Sequence, residues 1–174
     1  MISKIEIRES QLLDLEQLLK LYGEAFPDED LTSLVKDLLT LGLDVFFLTA
    51  IYDCSIVGHI CFTSCRIENA DNKVALLGPL AVTPTLQKRG IGRSLMQTGF
   101  EKLKNSKTDA VFVLGDPEFY GRMGFRQESN VLTPYVLPSE WSGAWQSIHF
   151  NDQTHFEGKL KVPRVWQDKS LWTS

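Results

Sequence analysis

TLQKRGIGRSLM, residues Thr85–Met96, changes character halfway along its length. It opens as a polar loop with the adjacent cations Lys88 and Arg89, passes Gly90 and Gly92, and ends like the first turns of a helix. A helix start presents unpaired backbone N–H groups and the positive end of the helix dipole, which together favour an anion. Glycine lets the chain turn with positive φ and approach a phosphate with no Cβ in the way. The stretch therefore suits a pyrophosphate; the plain alternative is a glycine-rich helix entry with solvent-facing charges. Two familiar phosphate loops are excluded by inspection. A P-loop needs Lys-Ser/Thr directly after its last glycine, and here Arg93-Ser94 follows Gly92. A dinucleotide fingerprint needs a third glycine where Leu95 stands.

Upstream of this loop, KVALLGPLAV (73–82) is a β-rich run, but Pro79 cannot donate a ladder hydrogen bond, which predicts a bulge or strand edge at Gly78-Pro79. DVFFLTAIYD and SIVGHICFTSCRIE read as a hairpin split at Asp53–Ser55. Residues 3–8, SKIEIR, alternate polar and apolar and predict a first strand. From Gln11 to about Phe26, Leu12, Leu15, Leu18, Leu19 and Tyr22 recur at helical spacing, with Pro27 and an acidic DED loop behind them. Leu31–Leu41 predicts a second helix with Leu34, Leu38 and Leu41 on its core face and Gly42 as its stop.

Downstream, Leu95, Met96, Phe100 and Leu103 carry a helix to about Lys104, and AVFVLG follows as a short buried strand. In DPEFYGRMG, Asp116 suits an N-cap, Pro117 the first helical position and Gly124 the exit. Beyond Phe125 the pattern weakens to strands at Ala144–Phe150 and Lys159–Trp166. The order β-α-α-β-β-β-α-β-α-β describes a mixed α+β domain over residues 1–174, with its clearest core in 1–127 and a less patterned 128–174.

Composition excludes several classes. The 174 residues are 43% hydrophobic and 23% charged, which is globular, and a net charge of -4 argues against nucleic acid. No apolar run reaches membrane-spanning length, and MISKIEIRES lacks the apolar centre of a signal peptide. Cys54, Cys61 and Cys65 have no metal-ligand spacing, so no metal is expected; Cys61 and Cys65 read as reduced, half-buried thiols on one strand face. A cytoplasmic protein is the resulting expectation.

Gln87, Gly90 and Gly92 meet the signature Gln/Arg-x-x-Gly-x-Gly/Ala. With LGPLAV before it and FYGRMGF after the next strand, the chain resembles the GNAT superfamily of acetyl-CoA-dependent N-acetyltransferases. The resemblance is strongest from Lys73 to Phe125, extends over the helix pair and hairpin, and fades beyond Gln127, where the tail resembles a small bacterial branch of the superfamily. It implies a mostly antiparallel mixed sheet flanked by helices, with strands 4 and 5 splayed into a V. Pantetheine would bond to the backbone of Leu80, Ala81 and Val82. The pyrophosphate would sit on the N–H groups of Lys88, Arg89, Gly90, Ile91, Gly92 and Arg93, with Gln87 opening the loop and Ser94 adding a hydroxyl.

The implied chemistry is direct transfer of an acetyl group to a primary amine of a small molecule or peptide. A departing thiolate leaves more easily if a positioned hydroxyl protonates it, and Tyr120 of FYGRMGF is the candidate acid. Backbone N–H groups near Leu80–Ala81 would polarise the thioester carbonyl. Glu24, with Asp28, Glu29 and Asp30, is a candidate base or amine attractor, a solvated acidic turn being the other reading. Asp116 reads as a helix cap rather than a base, and His59 and His149 as satisfied core histidines. Trp141, Trp145, Trp166, Trp172 and Tyr135 are candidates for an apolar acceptor pocket or for sheet-edge packing. The resemblance is compatible with a homodimer. A non-catalytic acyl-CoA-binding sensor is the alternative function.

Overall fold

The computed structural model describes residues 4–173; Ser3 of the first expected strand lies outside the described residues. The chain forms two compact units, one running to Phe62 and including Gly78–Lys102, the other made of Thr63–Leu77 and the residues from Leu103 onward.

In the first unit, β1 (Glu6–Glu9) pairs antiparallel with β2 (Val45–Tyr52), placing Glu6 opposite Ile51 and Glu9 opposite Leu48. The sheet continues through β3 (Ser55–Ile67) and the second half of β4 (Val74–Val82). β2 and β3 are joined by two residues, Asp53 at φ 50° and Cys54 at φ 61°. Two successive left-handed residues define the turn whose twist matches the flanking strands. Two helices follow β1: α1 (Leu15–Ala25) and α2 (Thr32–Leu39). Leu18, Leu21 and Tyr22 of α1, Val35 and Leu39 of α2, and Ala81 of β4 form one buried cluster.

The helical spacing mislead at both ends of this pair. Leu12 is 70% exposed, because residues 12–14 form a separate 3₁₀ turn in which Asp14, not the leucines, faces inward. Asp14 accepts two hydrogen bonds from the Arg8 guanidinium at 2.8 and 2.9 Å and one from the Gln11 N–H at 2.8 Å. In α2 the buried residues are Val35, Leu38 and Leu39, so the core face is rotated from the expected Leu34 and Leu41. The helix ends at Leu39 and the left-handed Gly42 (φ 66°) opens a 3₁₀ turn that leads to β2.

α3 (Ile91–Asn105) starts in this unit. A Cβ on Gly58 of β3 would lie 3.0 Å from both Ile91 and Leu95, and one on Gly99 would lie 2.3 Å from the Phe62 ring. Missing side chains at these two positions let α3 sit directly against β3.

In the second unit, the first half of β4 runs parallel to β5 (Ala110–Leu114), from Val74↔Ala110 to Leu77↔Val113. The ladder stops at Leu77 although β4 continues to Val82, in line with the interruption expected at Gly78-Pro79. β5 pairs antiparallel with β8 (Trp145–His149), which also pairs with β6 (Arg126–Gln127). β7 (Val131–Leu132) lies parallel to β9 (Gly158–Lys161), and β9 pairs antiparallel with the end of β3. β9 ends at Lys161, short of the expected Trp166; Pro163 cannot donate to a ladder and leads into a 3₁₀ turn over Arg164–Trp166.

The short helices α4 (Pro117–Gly121) and α5 (Ser170–Thr173) complete the unit. The sheet is thus mixed and mostly antiparallel, with a parallel β4–β5 pair and flanking helices, the α+β class read from the element order. Among the described residues, no helix is long and apolar enough to cross a membrane.

Candidate functional site

The loop between β4 and α3 is built residue by residue for an open helix start. Thr83 donates its N–H to the Val57 carbonyl at 2.8 Å, tying the end of β4 to β3. Pro84–Leu86 then make a single 3₁₀ turn. Gln87 folds its side chain back and donates to the Val82 carbonyl at 3.0 Å, which closes the loop on itself. Its role is a staple, one that the signature alone did not specify.

Lys88 (φ 63°) and Gly90 (φ 89°) take left-handed backbone, and Ser94 makes its helical bond to the Gly90 carbonyl at 3.0 Å. The N–H groups of Ile91, Gly92 and Arg93 therefore precede the first intrahelical bond of α3. Gly92 itself lies inside the first turn with helical backbone, so positive φ was needed at Lys88 and Gly90 and not there. A side-chain carbon added at Gly90 would meet nothing within 4 Å, which leaves space above the helix end. Ile91 is buried and anchors the turn, while Gln87, Lys88, Arg89, Gly90, Arg93 and Ser94 are exposed. In β4, Ala81 is buried in the α1–α2 cluster, with Leu80 and Val82 half-buried.

Of the acidic candidates, Glu24, Asp28, Glu29 and Asp30 are all exposed. Asp30 accepts from the Thr32 N–H at 3.0 Å, and that bond with the Thr32 side chain holds its carboxyl below the usual range. It is part of the α2 start rather than a free carboxylate. His59 is fully buried on β3, with Nδ1 2.7 Å from the Tyr22 hydroxyl. Its Nε2 has no hydrogen-bond partner among the described residues, so the expected satisfied core histidine is satisfied at one nitrogen only. Burial pushes its pKa down to about 3, which keeps the imidazole neutral.

Within the second unit, Asp116 caps α4 as its sequence predicts, accepting the Glu118 N–H at 2.9 Å. Tyr120 lies on α4 with its ring edge-on to Phe119 (4.9 Å between centroids) and Phe125 (5.5 Å), and Gly115 lies directly against the ring. Burial, then the nearby Asp116 charge, raises the phenol's pKa and keeps it protonated.

His149 is not a core residue. It is part-exposed, stacks on Phe156 at 5.2 Å, and places Nε2 3.2 Å from the Ser147 hydroxyl and 3.5 Å from the Glu128 carboxylate. Burial pushes the Glu128 carboxyl up, but the Ser147 hydroxyl at 2.6 Å and the Val131 and Asn130 N–H groups outweigh it and hold it low.

Three of the tryptophans pack against one another. Trp145 stacks on Phe112 at 5.6 Å and meets Trp172 edge-on, which in turn meets Trp166. Their indole N–H groups donate to Val131 O, Trp166 O and Thr63 Oγ1, so all three are satisfied core residues. Tyr135 and Trp145 line a surface groove of about 450 Å³ along residues 127–139. Cys61 and Cys65 are both buried, deeper than expected, and burial pushes the Cys65 thiol up to about 12; Cys54 is exposed. Among the described residues, no cluster of histidine, cysteine or carboxylate side chains has the makings of a metal site.

The Acetyltransferase (GNAT) family model matches residues 15–125, more than half of the chain. The chain belongs to that family. It is 36% identical over 103 residues to the uncharacterized N-acetyltransferase YjhQ of Escherichia coli K12, a match covering 56% of this chain and 57% of that protein. It is 29% identical over 144 residues to the uncharacterized N-acetyltransferase YhbS of the same organism, covering 82% of this chain and 81% of that one. The fold matches the crystal structure of Escherichia coli YhbS in complex with CoA at a TM-score of 0.84, with 24% identity over 93% of this chain and 91% of the other. A GNAT acetyltransferase from Brucella melitensis in complex with acetyl-CoA matches at 0.76, with 23% identity, covering 93% and 97%.

Proposed function

We propose that this GNAT protein transfers the acetyl group of acetyl-CoA directly to a primary amine of a small molecule or peptide. The observation that carries the reading is the loop in which left-handed Lys88 and Gly90 deliver the open N–H row of α3 beside three exposed cations. The pyrophosphate rests on the N–H groups from Lys88 to Arg93, with the Ser94 hydroxyl beside them, and pantetheine lies along Leu80–Val82 as an added strand. Solved relatives hold CoA or acetyl-CoA, which supports the same cosubstrate here.

In this reading the neutral amine attacks the thioester carbonyl, and the oxyanion that develops is met by a backbone N–H at Leu80–Ala81. Collapse of the tetrahedral intermediate breaks the C–S bond and expels the thiolate. Tyr120, the proposed acid, gives its phenolic proton to the sulfur, and the proton lost by the nitrogen, passed on through water, restores the phenol. The raised pKa of Tyr120 keeps that proton in place until the thiolate forms. Exposed Glu24, with Asp28 and Glu29, draws a cationic amine by its charge, and the amine gives up a proton to water before it attacks.

Calorimetry with acetyl-CoA, followed by thiol release across a panel of amines, tests the reading. Micromolar binding that Gly90→Trp abolishes, with Tyr120→Phe keeping binding but losing turnover, is the expected result. Binding without thiol release from any amine would instead favour an acyl-CoA sensor. No binding of acetyl-CoA would sink the cosubstrate assignment.

A further inference from the structure

Tyr22, His59 and Pro79 meet in the interior of the first unit, and no step above uses the first two. The Tyr22 hydroxyl lies 2.7 Å from His59 Nδ1 and donates to the Pro79 carbonyl at 3.3 Å. Tyr22 and His59 are each 2% exposed. Their rings meet edge-on at 5.6 Å between centroids, and Phe47 stacks on His59 at 6.0 Å.

Counting protons fixes the direction of this chain. The imidazole is neutral and carries one N–H; the phenol carries one O–H. If His59 is protonated at Nδ1, it donates to the Tyr22 oxygen and the hydroxyl proton goes to Pro79. Both contacts are then hydrogen bonds, and the unpartnered Nε2 is a bare lone pair. If His59 is protonated at Nε2, an N–H is stranded in the interior and the hydroxyl must abandon Pro79 to reach Nδ1. The first arrangement makes one more bond and avoids an orphaned donor, which is rare in folded proteins. The orphaned Nε2 thus reports the tautomer.

The Pro79 carbonyl belongs to the same peptide unit as the Leu80 N–H. A hydrogen bond accepted by a peptide carbonyl polarises the unit and strengthens its N–H as a donor. The last residues of β4 also lie beyond the ladder to β5, so the Tyr22 bond is an added restraint on that peptide plane.

We infer that Tyr22 and His59 are positioning residues for acetyl transfer: the chain His59 Nδ1–H to Tyr22 Oη–H to Pro79 O=C orients and polarises the Leu80 N–H that meets the thioester. This rests on the reading above, in which β4 carries the cosubstrate. Neither side chain touches the reacting atoms in it.

The test uses isosteres. Tyr22→Phe keeps the ring, stacked on Phe26, and removes only the hydroxyl. His59→Asn places its amide N–H near the Nδ1 position, whereas His59→Gln reaches the Nε2 position. Tyr22→Phe is expected to lower kcat about tenfold, less than outright removal of an oxyanion donor, while the acetyl-CoA Kd changes less than about threefold. His59→Asn is expected to retain most of the kcat and His59→Gln to lose it as Tyr22→Phe does.

Two readouts on the protein alone accompany these. Nitrogen-15 NMR is expected to show the Nδ1–H tautomer at His59, and the Leu80 amide nitrogen is expected to shift in Tyr22→Phe. An Nε2–H tautomer, an unmoved Leu80 amide, or equal kcat in His59→Asn and His59→Gln would overturn the proposal. If the unmodified protein neither binds acetyl-CoA nor releases thiol, the functional reading falls, and the tautomer and Leu80 shift still decide whether the chain exists. Should the histidine variants fail to fold, Tyr22→Phe and the NMR readouts decide it.

Discussion

Replacing Gly115 by alanine would move Tyr120 without deleting any of its atoms. An alanine Cβ at this position would lie 2.4 Å from Cε2, 3.0 Å from Cδ2 and 3.4 Å from Cζ of Tyr120. Ordinary contact begins near 3.4 Å, so that edge of the ring must recede by about 1 Å. Phe119 and Phe125 hold the ring edge-on, so it cannot recede without disturbing them. The Gly115 backbone is not in the left-handed region, and its N–H and carbonyl bond to Ala144 and Gln146, so the change is one of packing alone. Overpacking of this kind costs about 1–3 kcal/mol, which in a chain of this size lowers Tm by about 2–4 °C per kcal/mol. A shift of about 1 Å in a proton donor can cost as much as a hundredfold in rate. Gly115→Ala should therefore lose about 10- to 100-fold in kcat while binding acetyl-CoA like the parent protein. Thermal unfolding and steady-state thiol release, with Tyr120→Phe as reference, measure both effects. An unchanged Tm would refute the packing argument. A lowered Tm with kcat within about twofold of the parent would refute the assignment of Tyr120 as the proton donor.

Two further outcomes follow from single groups. His59 has a folded-state pKa pushed below its unfolded value near 6.5, so the unfolded chain binds the extra proton and stability is lost as pH falls through 6.5. Between pH 7 and pH 5 this amounts to about 2 kcal/mol, measured by chemical denaturation and absent from the difference between those pH values in His59→Asn. Asp116→Ala removes the side chain that accepts the Glu118 N–H at 2.9 Å and should cost about 1 kcal/mol by the same assay, as an N-cap typically does.

The strands were legible because their patterns are local: alternation in β1, branched and aromatic runs in β2, β3 and β5, and a proline marking where the β4–β5 ladder stops. The cap and exit of α4 were legible for the same reason, since Asp116 and Gly124 act on their own neighbours. What failed depended on side-chain partners, some near in sequence and some far, that hydrophobic periodicity does not read. Leu12 fits the helical period, but Arg8 and Gln11 draw Asp14 inward in its place. Gly58 and Gly99 look unremarkable on a strand and a helix, and only the seat of α3 on β3 explains them. In the loop, the signature gave the residues but not their division of labour, with Lys88 taking the left-handed turn assigned to glycine and Gln87 stapling Val82. The indole cluster and the half-satisfied His59 arise from side chains brought together across the sequence, which no window of the chain contains.

The corner between β2 and β3 has a practical consequence. Cys61 and Cys65 are sealed in the sheet, leaving Cys54 as the single exposed thiol among the three cysteines. A fluorophore or spin label attached there reports on one place, and a colorimetric count of released coenzyme A starts with an offset of one equivalent per protein. Exchanging Cys54 for glycine erases that offset, and it writes Asp-Gly into a turn whose two left-handed residues favour that pair.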